Sequence, residues 1–333
     1  MSCSLLPGDA FVNSVFFPGL GLSFELNRVA LVLGGRNIYW YGVIIGLGFL
    51  LAVLFCCKRA PGFGIRQDDI LDLLIAEVPL CIVGARLYYI LFYLDRFRNT
   101  DGSLNWAAML RISDGGIAIY GAVIMAAIVL LIFCRWKKLS FLAFADLGVQ
   151  GLFIGQMVGR WGNFVNVEAY GGVTDVPWRM CSPGIARWLY GQGQIDDVTY
   201  RALLDGEVGV HPTFFYESLW NLVGLVLVVL ISRKLYKFDG QLFLGYVFWY
   251  GLGRFWIEGL RTDSLYFFGL ELFGQPVRTS QALAFLSASV AGGVLLYNLV
   301  FRRGKHAPLY VHRLAERTEE IIYEENEHAG EDH

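Results

Sequence analysis

Long apolar runs broken by short polar clusters dominate the chain. Seven stretches stand out, at roughly 38–57, 71–94, 115–134, 142–164, 213–232, 241–259 and 280–301. A bilayer core about 30 Å thick is crossed by about 20 mostly apolar residues in a helix, and each stretch meets that length. They are too long and too continuous for barrel strands, and a bilayer admits only helices or closed barrels. The pattern therefore predicts an all-α, polytopic membrane protein of about seven transmembrane helices. Residues 1–37 read as an extracytoplasmic N-terminal arm, 38–301 as the membrane domain and 302–333 as a charged cytoplasmic tail. Within the membrane domain, 166–212 is rich in Gly, Asp, Trp and Tyr and reads as a small extracytoplasmic cap.

Basic residues set the orientation. Lys58, Arg59 and Arg66 follow the first span, Arg135, Lys137 and Lys138 the third, and Arg233, Lys234 and Lys237 the fifth; Arg302, Arg303 and Lys305 follow the seventh. These dense clusters fall on one side, which places the N-terminus outside and the C-terminus in the cytoplasm. Composition agrees with a membrane protein: 56% of residues are hydrophobic and only 17% charged, against roughly 25% in an average soluble domain. With 27 Lys and Arg against 29 Asp and Glu, a nucleic-acid partner is not indicated. The six cysteines, Cys3, Cys56, Cys57, Cys81, Cys134 and Cys181, include no CxxC pair. That spacing suits neither zinc nor a disulfide framework; no metal and no cofactor is expected. The first 30 residues lack a basic stretch leading into a clean apolar core, so no cleavable signal peptide is expected.

Ionisable residues at membrane depth are costly, about 2.5–3.5 kcal/mol each on insertion scales, and so point to function. Here they cluster. Span two holds Glu77 and Arg86. Span four ends in GlyArgTrpGlyAsnPheValAsnValGluAlaTyrGly (159–171), span five opens with HisProThrPhePheTyrGlu (211–217), and span six ends in TyrGlyLeuGlyArgPheTrpIleGluGlyLeuArgThrAsp (250–263). The spacing of Tyr250, Arg254, Glu258 and Arg261 predicts one helix face, with Arg254 and Glu258 able to pair. Arg160, Asn163 and Glu168 lie at the same end of span four. Several arginines at one depth repel unless an anion joins them, and phosphate fits because guanidinium binds it bidentately. Gly151, Gly155 and Gly159 form a small-residue stripe that lets a neighbouring helix approach. His211, before Pro212 at a helix start, reads either as a hydrogen-bonding residue or as a catalytic one.

These segments resemble the signature of the bacterial prolipoprotein diacylglyceryl transferase family. The element 159–171 carries the resemblance. Tyr41-Gly42, AspGlyGlyIleAlaIleTyrGly (114–121), the HisProThr–Tyr–Glu element and the Tyr–Gly–Arg–Glu–Arg–Asp pattern of span six accompany it in the family's order. The resemblance implies seven spans, an outside N-terminus, the bacterial cytoplasmic membrane and a transferase reaction. In that reaction the diacylglyceryl group of phosphatidylglycerol passes to the lipobox cysteine of a preprolipoprotein, giving a thioether and glycerol phosphate. It further implies that Arg160 and Arg254 bind the phosphate, and that Tyr41, Asn163 and Glu168 join them in catalysis. Tyr120, Gly171, His211, Glu217, Tyr250, Glu258 and Arg261 fall to substrate binding.

One position departs from the family. Tyr120 stands where many members carry histidine, and a phenol of pKa about 10 is a poor base at neutral pH. The thiol proton then has Glu168, His211, water or the lipid phosphate as alternative acceptors. Read without the resemblance, the residues support only a membrane protein with an anion site facing outward. The alternative, a membrane transporter or binding protein for an anionic substrate, is opposed by the apolar cytoplasmic halves of spans three and five and by the lack of an internal repeat.

Overall fold

The computed structural model describes residues 12–99, 101–112, 115–261, 266–272 and 275–319. Asp114, Thr262 and Asp263, the first eleven residues of the predicted arm and the acidic end of the tail lie outside them. The chain forms two compact units, one drawn from residues up to 55 together with 148–307, the other from 56–147 together with 308 onward.

In the first unit, β1 (Val12–Phe17) pairs with β2 (Leu22–Asn27), and β3 (Val29–Leu33) with β4 (Arg36–Tyr39), both antiparallel. The described part of the predicted arm thus forms two hairpins, strands added to the helical membrane domain. β1 alternates along its length so that Val15 and Phe17 are buried. An alternating strand of six residues is short beside the membrane runs, and its signal is weak. α1 (Trp40–Arg59) follows and runs on into the second unit.

The second unit holds α2 (Gln67–Phe92), α3 (Trp106–Leu110) and α4 (Ile119–Lys137), and α5 (Phe141–Asn166) begins in it. α2 crosses α4 at Gly84 and Gly121: a Cβ on Gly84 would lie 2.8 Å from the Gly121 carbonyl oxygen. Lys137 donates to Asp72 at 2.7 Å near one end of that pair. Arg86 is buried and spends its guanidinium on backbone carbonyls of Ala108, Met109, Arg111, Gly115 and Gly116, with its Cζ 5.1 Å from the Phe97 ring centroid. It is a loop anchor with every N–H used. The tail, predicted as charged and solvated, is helical over 310–319.

The rest of α5 returns to the first unit. Beyond it come β5 (Val173–Thr174), α6 (Pro183–Gly191), α7 (Asp197–Asp205) and β6 (Gly209–Val210), then α8 (Thr213–Lys234), α9 (Gln241–Leu260), β7 (Tyr266–Leu272), β8 (Gln275–Arg278) and α10 (Thr279–Val300). α6 and α7 are capped locally: the Ser182 side chain accepts from the Gly184 N–H, that of Asp196 from the Thr199 N–H at 2.9 Å. Their apolar faces join β1 in one small lobe whose core is Val15, Phe17, Met180, Ile185, Leu189 and Leu203. The hairpin and the 166–212 segment therefore share a core.

α8 and α9 are locked by a reciprocal pair. The indoles of Trp220 and Trp249 stack with centroids 4.3 Å apart, and each N–H donates to the other's carbonyl at 2.9 Å. Gly253 makes this possible, since a side chain there would collide with the Trp220 indole. Among the described residues five helices, α1, α4, α5, α8 and α10, are long and apolar enough to cross a membrane. α2 and α9 match them in length but carry the charges: Asp68, Asp69, Asp72, Glu77 and Arg86 in one, Arg254 and Glu258 in the other. Every helix predicted as a span is present, with ends displaced by a few residues.

Candidate anion site

α5 and α8 are aligned by a short relay. Trp161 Nε1 donates to Ser218 Oγ at 3.2 Å, and that hydroxyl donates to the Met157 carbonyl at 2.9 Å. This register sets Arg160, at the end of α5, against Glu217, in the second turn of α8, and the two form an ion pair. From α9, Arg254 Nη1 lies 3.7 Å from the other oxygen of Glu217, while Arg254 Nη2 holds Glu258 at 2.7 Å. Arg261 Nη1 comes within 3.9 Å of the same Glu217 oxygen. Ser280 of α10 donates to the remaining oxygen of Glu258 at 3.0 Å.

Among the described residues, three guanidiniums and two carboxylates make up the cluster. The carboxylates are deep, at 5% and 2% exposure for Glu217 and Glu258. The three arginine side chains keep 21%, 22% and 13% of their surface open. Buried charge is tolerated only where it is paired, and the pairing here is shared among all five groups. The anion that relieves the arginine repulsion is Glu217, where the sequence pointed to a ligand alone. Against it lies a cavity of about 10 Å³ bounded by Trp220, Tyr250 and Arg254, room for about one water.

The loop after α5 brings the remaining groups. Val167 and Ala169 both adopt positive φ, each 55°, and between them Glu168 turns back onto the helix end. Asn163 Nδ2 donates to its Oε1 at 2.9 Å and Asn166 Nδ2 at 3.2 Å. Gly171 then joins three segments: its N–H donates to the His211 carbonyl at 2.9 Å, it bridges to Arg261, and Gly172 N–H donates to the Leu260 carbonyl at 2.7 Å. A Cβ on Gly171 would lie 2.8 Å from His211 Cβ and 2.9 Å from the Leu260 oxygen. His211 faces the Tyr216 hydroxyl at 3.2 Å, and Trp178 Nε1 donates to the same hydroxyl at 2.6 Å. Burial pulls the His211 pKa below its ordinary value.

Arg160, Glu217, Arg254, Glu258 and Arg261 thus converge, and Tyr250 borders them. Arg261 arrives differently from the sequence reading. It follows the last residue of α9 in an extended conformation and reaches the cluster through its bridge to Gly171. Asn163, Glu168 and Gly171 form an adjoining group with His211. Tyr41 lies with its ring 2.8 Å from where a Cβ on Gly162 would stand. Ile45 and Gly48 continue that seam along Gly159 and Val158, so α1 is the helix that the glycine-rich face of α5 receives. Tyr120 belongs to the second unit, half exposed beside Tyr88 at 6.2 Å between ring centroids. Sequence reasoning missed Ser280, a small polar residue at the start of an apolar run. It also missed Arg28, whose Nη2 donates to the Asn166 carbonyl at 2.7 Å.

The five apolar helices of membrane-spanning length, together with a cluster of arginines and carboxylates, fit a class: multi-pass membrane proteins. The sequence narrows it further. The pattern of the prolipoprotein diacylglyceryl transferase family matches residues 28–297, and the chain belongs to that family. Curated relatives named phosphatidylglycerol--prolipoprotein diacylglyceryl transferase are similar over most of both chains. The Lysinibacillus sphaericus protein is 38% identical over 280 residues, 84% of this chain and 94% of its own. That of Listeria monocytogenes is 40% identical over 285 residues, 86% and 93%. The Oceanobacillus iheyensis protein is 38% identical over 273 residues, 82% and 88%.

Proposed function

We propose that this chain moves the diacylglyceryl group of phosphatidylglycerol onto the lipobox cysteine thiol of a prolipoprotein. Its family and its named relatives are transferases of that kind. The observation that carries the residue assignment is the convergence of Arg160, Arg254 and Arg261 on the one carboxylate of Glu217, a local excess of cations among the described residues. A phosphodiester headgroup carries one negative charge and complements it.

In this reading the acceptor's sulfur attacks the glyceryl carbon as thiolate, the C–O bond to phosphate breaks, and glycerol phosphate leaves. The thiolate's charge ends on the phosphate, which goes from one negative charge to two. Arg160 and Arg254, already oriented by Glu217 and Glu258, stabilise that developing charge; preorganised donors of this type are the largest single source of rate. No enzyme nucleophile is needed, since a thiol of pKa about 8.5 supplies its own once deprotonated. Glu168, His211, water and the lipid phosphate are the candidate proton acceptors. Tyr41, Asn163 and Glu168 serve catalysis; Tyr120, Gly171, Tyr250, Glu258 and Arg261 serve substrate binding.

Seven spans in the bacterial cytoplasmic membrane complete the proposal, with α2 and α9 crossing beside the five apolar helices. Basic residues closing α1, α4 and α8 support a cytoplasmic position for those ends. The small lobe and the 1–37 segment then lie outside and the 302–333 tail inside. Incubating the purified protein with phosphatidylglycerol and a lipobox peptide tests the activity: the peptide should gain one diacylglyceryl group by mass. An unchanged peptide mass, with the protein correctly inserted, would reject it.

A further inference from the structure

A second cavity, of about 360 Å³, opens in the small lobe and is not part of the arginine cluster. Its lining includes Asn13 of β1, Arg28 of the β2–β3 connection, Glu168 and Tyr170 of the loop after α5, and Ile185 and Trp188 of α6. That volume lies in the range of small-ligand pockets. From it we infer that this cavity holds the stretch of the acceptor polypeptide beside its reactive cysteine. The inference rests on the transferase reading and extends it to where the protein substrate sits.

The chemistry of the walls favours a peptide. Arg28 and Glu168 present one cation and one carboxylate, so the cavity is neutral as a whole and offers both donors and acceptors. An extended backbone needs both, because every residue brings an N–H and a C=O. Arg28 lines the cavity and is fixed there by the donation of its Nη2 to the Asn166 carbonyl at 2.7 Å. Glu168 is held ready by two asparagine amides. The positive φ of Val167 and Ala169 frames it, a conformation a β-branched residue adopts rarely and one that clusters at functional sites. Ile185, Tyr170 and Trp188 supply apolar wall for side chains; Trp188 stands 46% exposed with Tyr170 edge-on at 6.2 Å. A lipid phosphate is disfavoured here, since it would face the Glu168 carboxylate.

The position fits as well. Asn163, which holds Glu168, lies three residues beyond Arg160 on the same helix, about 4.5 Å of rise. A peptide lying along Glu168 would therefore present its thiol close to a lipid phosphate held by Arg160. One wall, Asn13, comes from β1, which precedes the residues that the family pattern matches.

The test is steady-state kinetics of the full-length protein in phosphatidylglycerol-containing micelles with a lipobox peptide, comparing wild type with Arg28→Ala and Trp188→Ala. Arg28→Ala should raise KM for the peptide by about tenfold or more, as expected for a lost charge-assisted hydrogen bond, while kcat and KM for phosphatidylglycerol stay within about twofold. Arg28→Lys should recover part of the loss. Trp188→Ala should raise the peptide KM without touching the arginine, so a misfolded Arg28 variant does not leave the question open. An unchanged peptide KM in both variants overturns the inference while wild-type turnover keeps the transferase reading. A rise confined to KM for phosphatidylglycerol also overturns it and assigns the cavity to the lipid headgroup. Absence of turnover in the wild type rejects both.

Discussion

Arg160 on α5 and Arg254 on α9 close on opposite oxygens of one carboxylate, that of Glu217 on α8. Three helices therefore meet at a single charged point, and none of the three residues is independent of the others. The arrangement predicts that Arg160→Ala and Arg254→Ala each lower kcat by about 10²–10³, the usual effect of deleting one preorganised donor to a developing anion. Lysine should not restore the rate, because an ammonium cannot hold two oxygens in a planar fork. The measurement is transfer to a lipobox peptide in membranes where each variant is inserted at wild-type level. Wild-type turnover in either alanine variant would remove the phosphate role.

Glu217→Gln makes a different prediction. It removes the carboxylate that Arg160, Arg254 and Arg261 share and leaves Glu258 as the other carboxylate of the cluster among the described residues. Breaking a buried pair in this way costs about 3–5 kcal/mol, and the partly open arginines put the loss at the low end. The variant should melt earlier than wild type. It should also be stabilised more by added inorganic phosphate, since a ligand that binds only the folded state raises its stability by mass action. Equal phosphate responses in the two proteins would show that Glu217 is not the counterion of this cluster.

How much of this was legible in the sequence follows from the length scale of each signal. The long helices were, because twenty apolar residues in a row leave few alternatives. The pairing of Arg254 with Glu258 was, because a four-residue spacing fixes it on a helix. Glu217 could be singled out from its motif, but not its role as shared anion, because that depends on the register of α5 against α8 set by Ser218 and Trp161. The hairpins at 12–39 were hidden, since strands of four to six residues give too short an alternation to compete with membrane runs. Arg261 was assigned to a helix face that ends one residue before it, and a bridge to Gly171 does the work instead.

Gly171→Ala should be more damaging than an added methyl group suggests. The new Cβ would meet His211 Cβ, the Leu260 carbonyl and Thr213 Cγ2, the last at 3.1 Å. Those atoms belong to two segments, residues 211–213 and the end of α9, and both are backbone-tied to residues 171–172. Overpacking of this kind costs about 1–3 kcal/mol. It would also displace Arg261 from Glu217, so activity should fall further than stability. Thermal melting measured beside turnover separates the two; equal losses would confine Gly171 to a structural role.

The last prediction concerns acid. His211 is partly withdrawn from water, so its charged form is disfavoured in the folded protein and its pKa falls below the unfolded value of about 6.5. The unfolded chain therefore binds a proton more readily than the folded one. By linkage, stability is fully retained above about pH 6.5 and declines as pH drops from there toward the lowered folded pKa. The neutral ring faces the Tyr216 hydroxyl, an arrangement that a glutamine can imitate without titrating. His211→Gln should therefore flatten the loss of melting temperature between about pH 6.5 and pH 5 relative to wild type. If turnover also becomes insensitive to pH over that interval while its maximum survives, His211 orients the site and is not the proton acceptor. If the maximum collapses with the fold intact, the imidazole is the base that Tyr120 does not supply.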